Sequence, residues 1–169
     1  VCGVIAAGAP LGWLAADVQG TVHRVVRDGT GVVYVHKAEA GPMGMSSRLG
    51  TRLRIYCSGV GKAIMAALPY AQAKAIWDAS HIQPRTPGTI LEFAQMERQL
   101  AEARKNGWAL DDEENELGIC CIAFALPQPG RPVSVAFSIS GMKARMNKKR
   151  LAQLAEAGQR TKRQILQDL

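Results

Sequence analysis

Two stretches of β-branched residues, 21–27 and 31–37, carry Val22, Val25 and Val26, then Val32, Val33 and Val35. The turn signal Asp28-Gly29-Thr30-Gly31 lies between them, so the pattern predicts a hairpin. After Gly41-Pro42, residues 43–49 predict a third antiparallel strand, and Gly50-Thr51 turns the chain into a further strand over 52–56. The period then becomes helical. Ser58 is placed to cap a helix through Lys62, Ala63, Ile64, Met65, Ala66 and Leu68 that stops before Pro69, and a second helix follows over 71–79. Residues 81–88 hold Pro84 and Pro87 and read as a loop. Apolar residues at 93, 96, 100 and 103 predict a helix over 91–105, ended by Asn106-Gly107. Strands are predicted over 118–126 and 133–139, paired as a second hairpin. A final helix places Leu151, Leu154, Ala155, Gly158, Ile165 and Leu169 on one face. Strands, helices, strands and a helix in that order predict an α+β fold, an antiparallel sheet with helices packed on it.

Composition narrows the class. With 169 residues, 47% hydrophobic and 21% charged, the chain is one ordinary globular domain with enough residues for a full core. No apolar run reaches the roughly 18 to 20 residues that span a bilayer. The formal charge is +7, and residues 142–169 hold eight basic side chains against Glu156 and Asp168, so nearly all of the excess sits on the last helix. Those basic residues are not interleaved with aromatics, and no helix-turn-helix or zinc pattern is visible; the stretch reads as a solvated helix face. Cys2, Cys57, Cys120 and Cys121 lack zinc-ligand spacing, and two are adjacent, so free thiols in a reducing cytoplasm are expected. The apolar opening has neither a basic leader nor an initiating Met, so the chain reads as a piece of something longer rather than a secreted precursor.

Four features carry candidate chemistry. Ser58-Gly59-Val60-Gly61-Lys62 lies between a strand and a helix, where main-chain N–H groups and the helix dipole can hold an anion. It departs from a nucleotide loop in glycine spacing and in Ala63 after Lys62; the alternative is a tight turn and nothing more. The run Asp111-Asp112-Glu113-Glu114-Asn115-Glu116 is either a solvated loop or the source of one inward acceptor for a polar ligand, and it lacks the spacing of a calcium loop. Cys120 and Cys121 point to opposite faces of their strand, so one thiol faces the core or a pocket. No histidine (His23, His36, His81) is near them in sequence to act as a base. Ser138 and Ser140 share a face opposite Phe137 and Ile139, and their hydroxyls meet either water or a ligand.

The string from Gly107-Trp108-Ala109-Leu110-Asp111 through Gly118-Ile119-Cys120-Cys121-Ile122-Ala123, then Phe137-Ser138-Ile139-Ser140-Gly141, resembles the effector-binding domain of IclR-type bacterial transcription regulators. Tyr56-Cys57-Ser58-Gly59-Val60-Gly61-Lys62-Ala63, Thr21-Val22-His23, Val35-His36-Lys37 and Arg48-Leu49-Gly50 extend the likeness in the same order. It covers the chain from about residue 20 onward and sets 21–169 as the domain, with 1–20 a leading segment that is helical from about residue 10.

The resemblance implies a GAF-like α+β domain that senses a small organic acid and, in the full-length regulator, follows an N-terminal winged helix-turn-helix absent from this chain. It implies a homodimer or homotetramer, contact with operator DNA only through that missing domain, no cofactor, no metal and no catalysis. Carried over, the pocket comprises the backbone of Gly59 and Val60 for a carboxylate, and Asp111, Cys121, Ser138 and Ser140 for the remaining oxygens. Met45, Ile119 and Tyr56 form its apolar walls. Val60 stands where many relatives have Ala, and Tyr56 where many have His, which argues against the smallest acids; the Tyr56-Cys57-Ser58 loop resembles the branch governing sugar and sugar-acid catabolism. The competing reading is a GAF-like thiol enzyme using Cys121.

Overall fold

The computed structural model describes residues 8–42 and 44–168. The first described element is helix α1 (Gly8–Val18), followed by the hairpin β1 (Thr21–Asp28) and β2 (Gly31–Glu39). A short strand β3 (Arg52–Arg54) leads through a single 3-10 turn (Ile55–Cys57) into α2 (Gly59–Ala67), followed by α3 (Tyr70–Ala79) and α4 (Phe93–Asn106). Then come β4 (Ala109–Asp112), β5 (Ile119–Ala125), β6 (Val135–Met142) and the long terminal α5 (Lys148–Gln167). The six strands form one antiparallel sheet in the order β3-β2-β1-β6-β5-β4, the α+β arrangement expected.

Helices cover both faces. α1 and α5 bury Leu11, Leu14, Leu154 and Ile165 against Val22, Ile122, Phe124, Phe137 and Ile139. Phe124 and Phe137 stack with ring centroids 5.0 Å apart. α5 lies so close to them that a Cβ on Gly158 would sit 2.1 Å from Phe124 Cζ. On the other face, α2 and α4 pack on small strand residues, Ala109, Ala123, Ala125 and Ala136, which let α2 approach the sheet, and α3 packs against α2. α4 buries Met96, Leu100 and Ala103 at helical spacing and stops at Gly107, whose φ of 81° is the left-handed cap that Asn106-Gly107 predicts.

Three expectations need correction. Residues 44–48 form no strand, and Met43, where that strand was to begin, lies outside the described residues. The free edge of β2 is taken at Gly31–Val33 by β3 and at Tyr34 by main-chain bonds to Gly50 and Thr51, and the 44–48 segment is held by side chains of β1 and β2. Lys37 Nζ donates to the carbonyls of Met45 and Ser47, Glu39 accepts from the Met45 N–H at 2.9 Å, and His23 Nε2 meets Ser47 Oγ at 2.6 Å. Second, the strand expected to reach residue 56 ends at Arg54, because the chain tightens into the 3-10 turn to deliver Ser58 to α2. Third, Asp111 and Asp112, which open the acidic run read as a solvated loop, lie on strand β4 with Ala109 and Leu110, paired with β5. On α5 the buried set is Leu154, Ala157, Gly158, Thr161 and Ile165; Leu169 lies outside the described residues.

Candidate functional site

Ser58 caps α2 as expected: its Oγ accepts from Gly61 N–H at 3.2 Å, while Lys62 N–H reaches the Ser58 carbonyl at 3.0 Å. Gly59 and Val60 are therefore left as the two amides with no acceptor inside the helix, at its positive end. The close seat of the preceding turn fixes their aim, since a Cβ on Gly61 would lie 2.0 Å from the Ile55 carbonyl oxygen.

The strand register supplies the floor in front of these amides. Directly paired residues share a face of the sheet, and one row runs across it through Asp111, Cys121, Ser140, Thr21 and Glu39. The next row runs through Ala109, Ala123, Ser138, His23 and Lys37. The α2 side of the sheet is thus apolar beneath the helix and polar beyond its N-terminus. The partners of Ser138 and Ser140 along their strand, Phe137 and Ile139, lie in the opposite core, as the alternation requires.

All eight residues nominated from the sequence, Gly59, Val60, Asp111, Cys121, Ser138, Ser140, Ile119 and Met45, line one cavity of ≈ 40 Å³ between α2 and the sheet. Tyr34, Leu53, Ser58, Asn115 and Glu116 complete its wall; Ser58 belongs to the expected anion loop and Asn115 and Glu116 to the acidic run, whereas Tyr34 and Leu53 were not foreseen. Tyr34 and Leu53 sit on β2 and β3, and only the register of the finished sheet brings them here. Tyr56 is a correction. It is 1% exposed and turned away from the cavity, with its OH donating to the Gln83 carbonyl at 2.9 Å and its ring edge-on to Trp77. The size argument drawn from it therefore has no basis in the cavity.

The acidic run turns inward more than expected. Asp111 and Glu114 are both buried, because Glu113 takes a left-handed φ of 57° and reverses the chain after β4. Asp111 Oδ1 accepts from Glu114 N–H at 2.8 Å. Glu114 Oε2 pairs with Lys62 Nζ at 2.8 Å, with the lysine 1% exposed, and also accepts from Asp112 N–H at 3.0 Å. Two ions buried side by side gain little net stability, but removing either strands the other. Burial first, and then the Glu114 charge, push the Asp111 carboxyl up to about 7.

Cys121 Sγ donates to Ser140 Oγ at 3.1 Å, and burial together with Asp111 pushes this thiol upward. A nucleophilic cysteine needs the opposite shift. Cys57, Cys120 and Cys121 are free; Cys2 lies outside the described residues. Burial, and then the nearby Lys37 charge, depress His23 to about 4, so it is neutral at pH 7; its buried Nδ1 has no partner among the described residues. The described residues hold no group of three or more His, Cys, Asp or Glu side chains placed to bind a metal, and no helix long and apolar enough to cross a membrane.

The family described as bacterial transcriptional regulator IclR C-terminal matches residues 4–167. The chain belongs to the IclR family. Among IclR relatives, the repressor AllR of Klebsiella pneumoniae is 34% identical over 146 residues, covering 86% of this chain and 54% of AllR. The regulator XynR of Escherichia coli K12 is 33% identical over 143 residues, covering 82% of this chain and 57% of XynR. This IclR domain thus spans about half the length of the curated relatives it matches. In the solved structure of Thermotoga maritima IclR, 28% identical, the whole of this chain superposes on 69% of that one with a TM-score of 0.94. The IclR match begins at residue 4 and so takes in α1. The family is a regulator domain, and these relatives are named as regulators and repressors rather than enzymes.

Proposed function

We propose that this domain is the sensor of a transcription regulator, and that it binds a small organic acid in the cavity at the N-terminus of α2. The carboxylate sits on the Gly59 and Val60 amides, where the helix dipole favours negative charge. Ser138, Ser140, Cys121 and Asp111 read the acid's other oxygens, while Met45 and Ile119 form the apolar wall. The observation that carries this reading is the convergence of two unsatisfied helix amides with the buried Asp111, Ser138 and Ser140 and the partly buried Cys121 thiol on one cavity. In the full-length cytoplasmic protein, a homodimer or homotetramer, the ligand shifts the balance between arrangements that hold operator DNA and arrangements that release it, by as much as it prefers one over the other.

Calorimetry with a panel of carboxylic and sugar acids tests the reading. At least one acid binds, and Ser138→Ala with Ser140→Ala weakens it by more than tenfold while the melting temperature changes little. In the full-length protein the same double variant loses ligand-dependent release of the operator. If no acid binds and release is unaffected by the double variant, the cavity is not the sensing site.

A further inference from the structure

The terminal helix breaks a rule at its start. A helix N-terminus favours Asp and Glu, because the aligned peptide dipoles leave it positive. The first turn of α5 has no acid and instead carries Lys148, Lys149 and Arg150 in succession, directly after the Asn147 cap. Lys143 and Arg145 sit on the 3-10 turn just before it, so residues 142–155 hold five cations and no Asp or Glu. Like charges crowded at a positive helix end work against the fold, so the fold does not account for their being there.

Two of the five are occupied within the chain. Lys143 Nζ pairs with Asp112 on β4, and the Arg150 guanidinium donates to the Val18 carbonyl at the end of α1. These contacts fasten both ends of the 143–150 stretch to the body of the domain. Arg145, Lys148 and Lys149, between them, are exposed and make no ion pair among the described residues. Farther along α5 the expected solvated face is found, with Arg160 paired to Glu156 and Asp17.

The chemistry of the three remaining cations selects a partner. They lie within four residues of chain, at most about 14 Å, the axial length over which one strand of duplex DNA presents about four phosphates. Residues 142–169 contain no Trp, Tyr or Phe to stack on bases, which argues against a single strand. Two of the three are lysines, flexible point charges suited to a repeating phosphate backbone rather than to one planar carboxylate gripped by a fork of donors. A regulator that works on operator DNA meets a duplex as its polyanion; this choice alone rests on the proposed function, and the effector cavity plays no part in it.

We propose that Arg145, Lys148 and Lys149 form a sequence-independent contact between the sensor domain itself and the phosphate backbone of duplex DNA beside the operator. The test is fluorescence anisotropy of the 169-residue chain with a labelled duplex of arbitrary sequence, about 24 base pairs long, between about 50 and 200 mM KCl. The duplex binds, and log K falls against log[KCl] with a slope of about −2.7, or about −0.9 for each of three neutralised phosphates. Arg145→Gln, Lys148→Gln and Lys149→Gln together weaken binding at least tenfold and flatten that slope. Their melting temperature holds or rises, because the side chains are exposed and the helix end sheds like charges. A control that removes the same charge from other exposed positions, Arg98→Gln, Lys105→Gln and Arg163→Gln, changes affinity less than twofold. Equal losses in the two triple variants would show attraction by net charge alone. Polyaspartate that displaces the labelled duplex as well as unlabelled duplex does would assign the surface to an acidic protein. Either result, or no binding at about 50 mM KCl, overturns the proposal and leaves the effector cavity untouched.

Discussion

The two faces of the sheet are built from the same six strands to opposite ends. Toward α1 and α5 the strands present Val22, Ile122, Phe124, Phe137 and Ile139, large side chains with no polar atoms, packed to the point that α5 requires a glycine over Phe124. Toward α2 the same strands present alanines and then a row of serines, a thiol, a histidine and a carboxylate. The first face supplies hydrophobic burial. The second gives some of that up, because small residues bury little area and polar ones must be satisfied, and obtains in exchange a cavity with chemical discrimination. The contrast teaches that strand alternation lets one short stretch such as Phe137–Ser140 serve both purposes without compromise.

The contrast can be tested from its strongest side first. Phe124→Ala should lower stability by about 4 kcal/mol in denaturant titration, while the folded fraction keeps its ligand affinity. A loss of affinity out of proportion to folding would mean that the two faces are coupled.

The polar face should show itself through pH. His23 is depressed from 6.5 to about 4, so its contribution to stability is present above pH 6.5 and lost as pH falls through the folded value. Asp111 is raised from 3.8 to about 7, so its contribution is present below pH 3.8 and lost as pH rises through 7. Each amounts to something on the order of 3 kcal/mol, and they have opposite sign. His23→Gln should therefore make the protein relatively more stable on acidification from pH 7 to 4.5, and Asp111→Asn relatively less, as read by urea midpoints. Parallel pH profiles for both variants and the parent would show that these groups do not titrate on the polar face.

A smaller effect concerns binding. A carboxylate placed on the Gly59 amide lies next to Asp111, since a Cβ on Gly59 would stand 3.4 Å from Asp111 Cβ. An anionic ligand is then bound with uptake of a proton, and its affinity should fall about tenfold between pH 6 and pH 8. Asp111→Asn should flatten that slope in calorimetry; a slope of the same size in the variant would place the proton elsewhere.

Much of this architecture is legible in the sequence because local signals agree with it. The Val-rich hairpin, the Ser58 cap, the 93-96-100-103 stripe and the Ser138/Ser140 alternation each depend on neighbours a few residues apart. What escapes depends on register. Nothing local marks Tyr34 and Leu53 as cavity walls, or Tyr56 as a core residue hydrogen-bonded to Gln83, because their partners lie tens of residues away or across strands. β4 is hidden by composition: Asp111-Asp112 has poor strand propensity, and pairing with β5 overrides it. The third strand fails for the converse reason. Residues 44–48 follow a hairpin and so resemble its continuation, but β3 already holds Gly31–Val33. The buried Lys62–Glu114 pair is likewise unreadable from spacing, since the two lie on separate elements.

The 44–48 segment hangs on the sheet by three side-chain fastenings, His23, Lys37 and Glu39, and no ladder hydrogen bonds depend on it. Its five residues are accordingly an exchangeable cassette. Insertions, deletions or replacements there alter the mouth of the cavity without unpicking any strand, which makes this stretch the natural place to retool the domain toward a different metabolite.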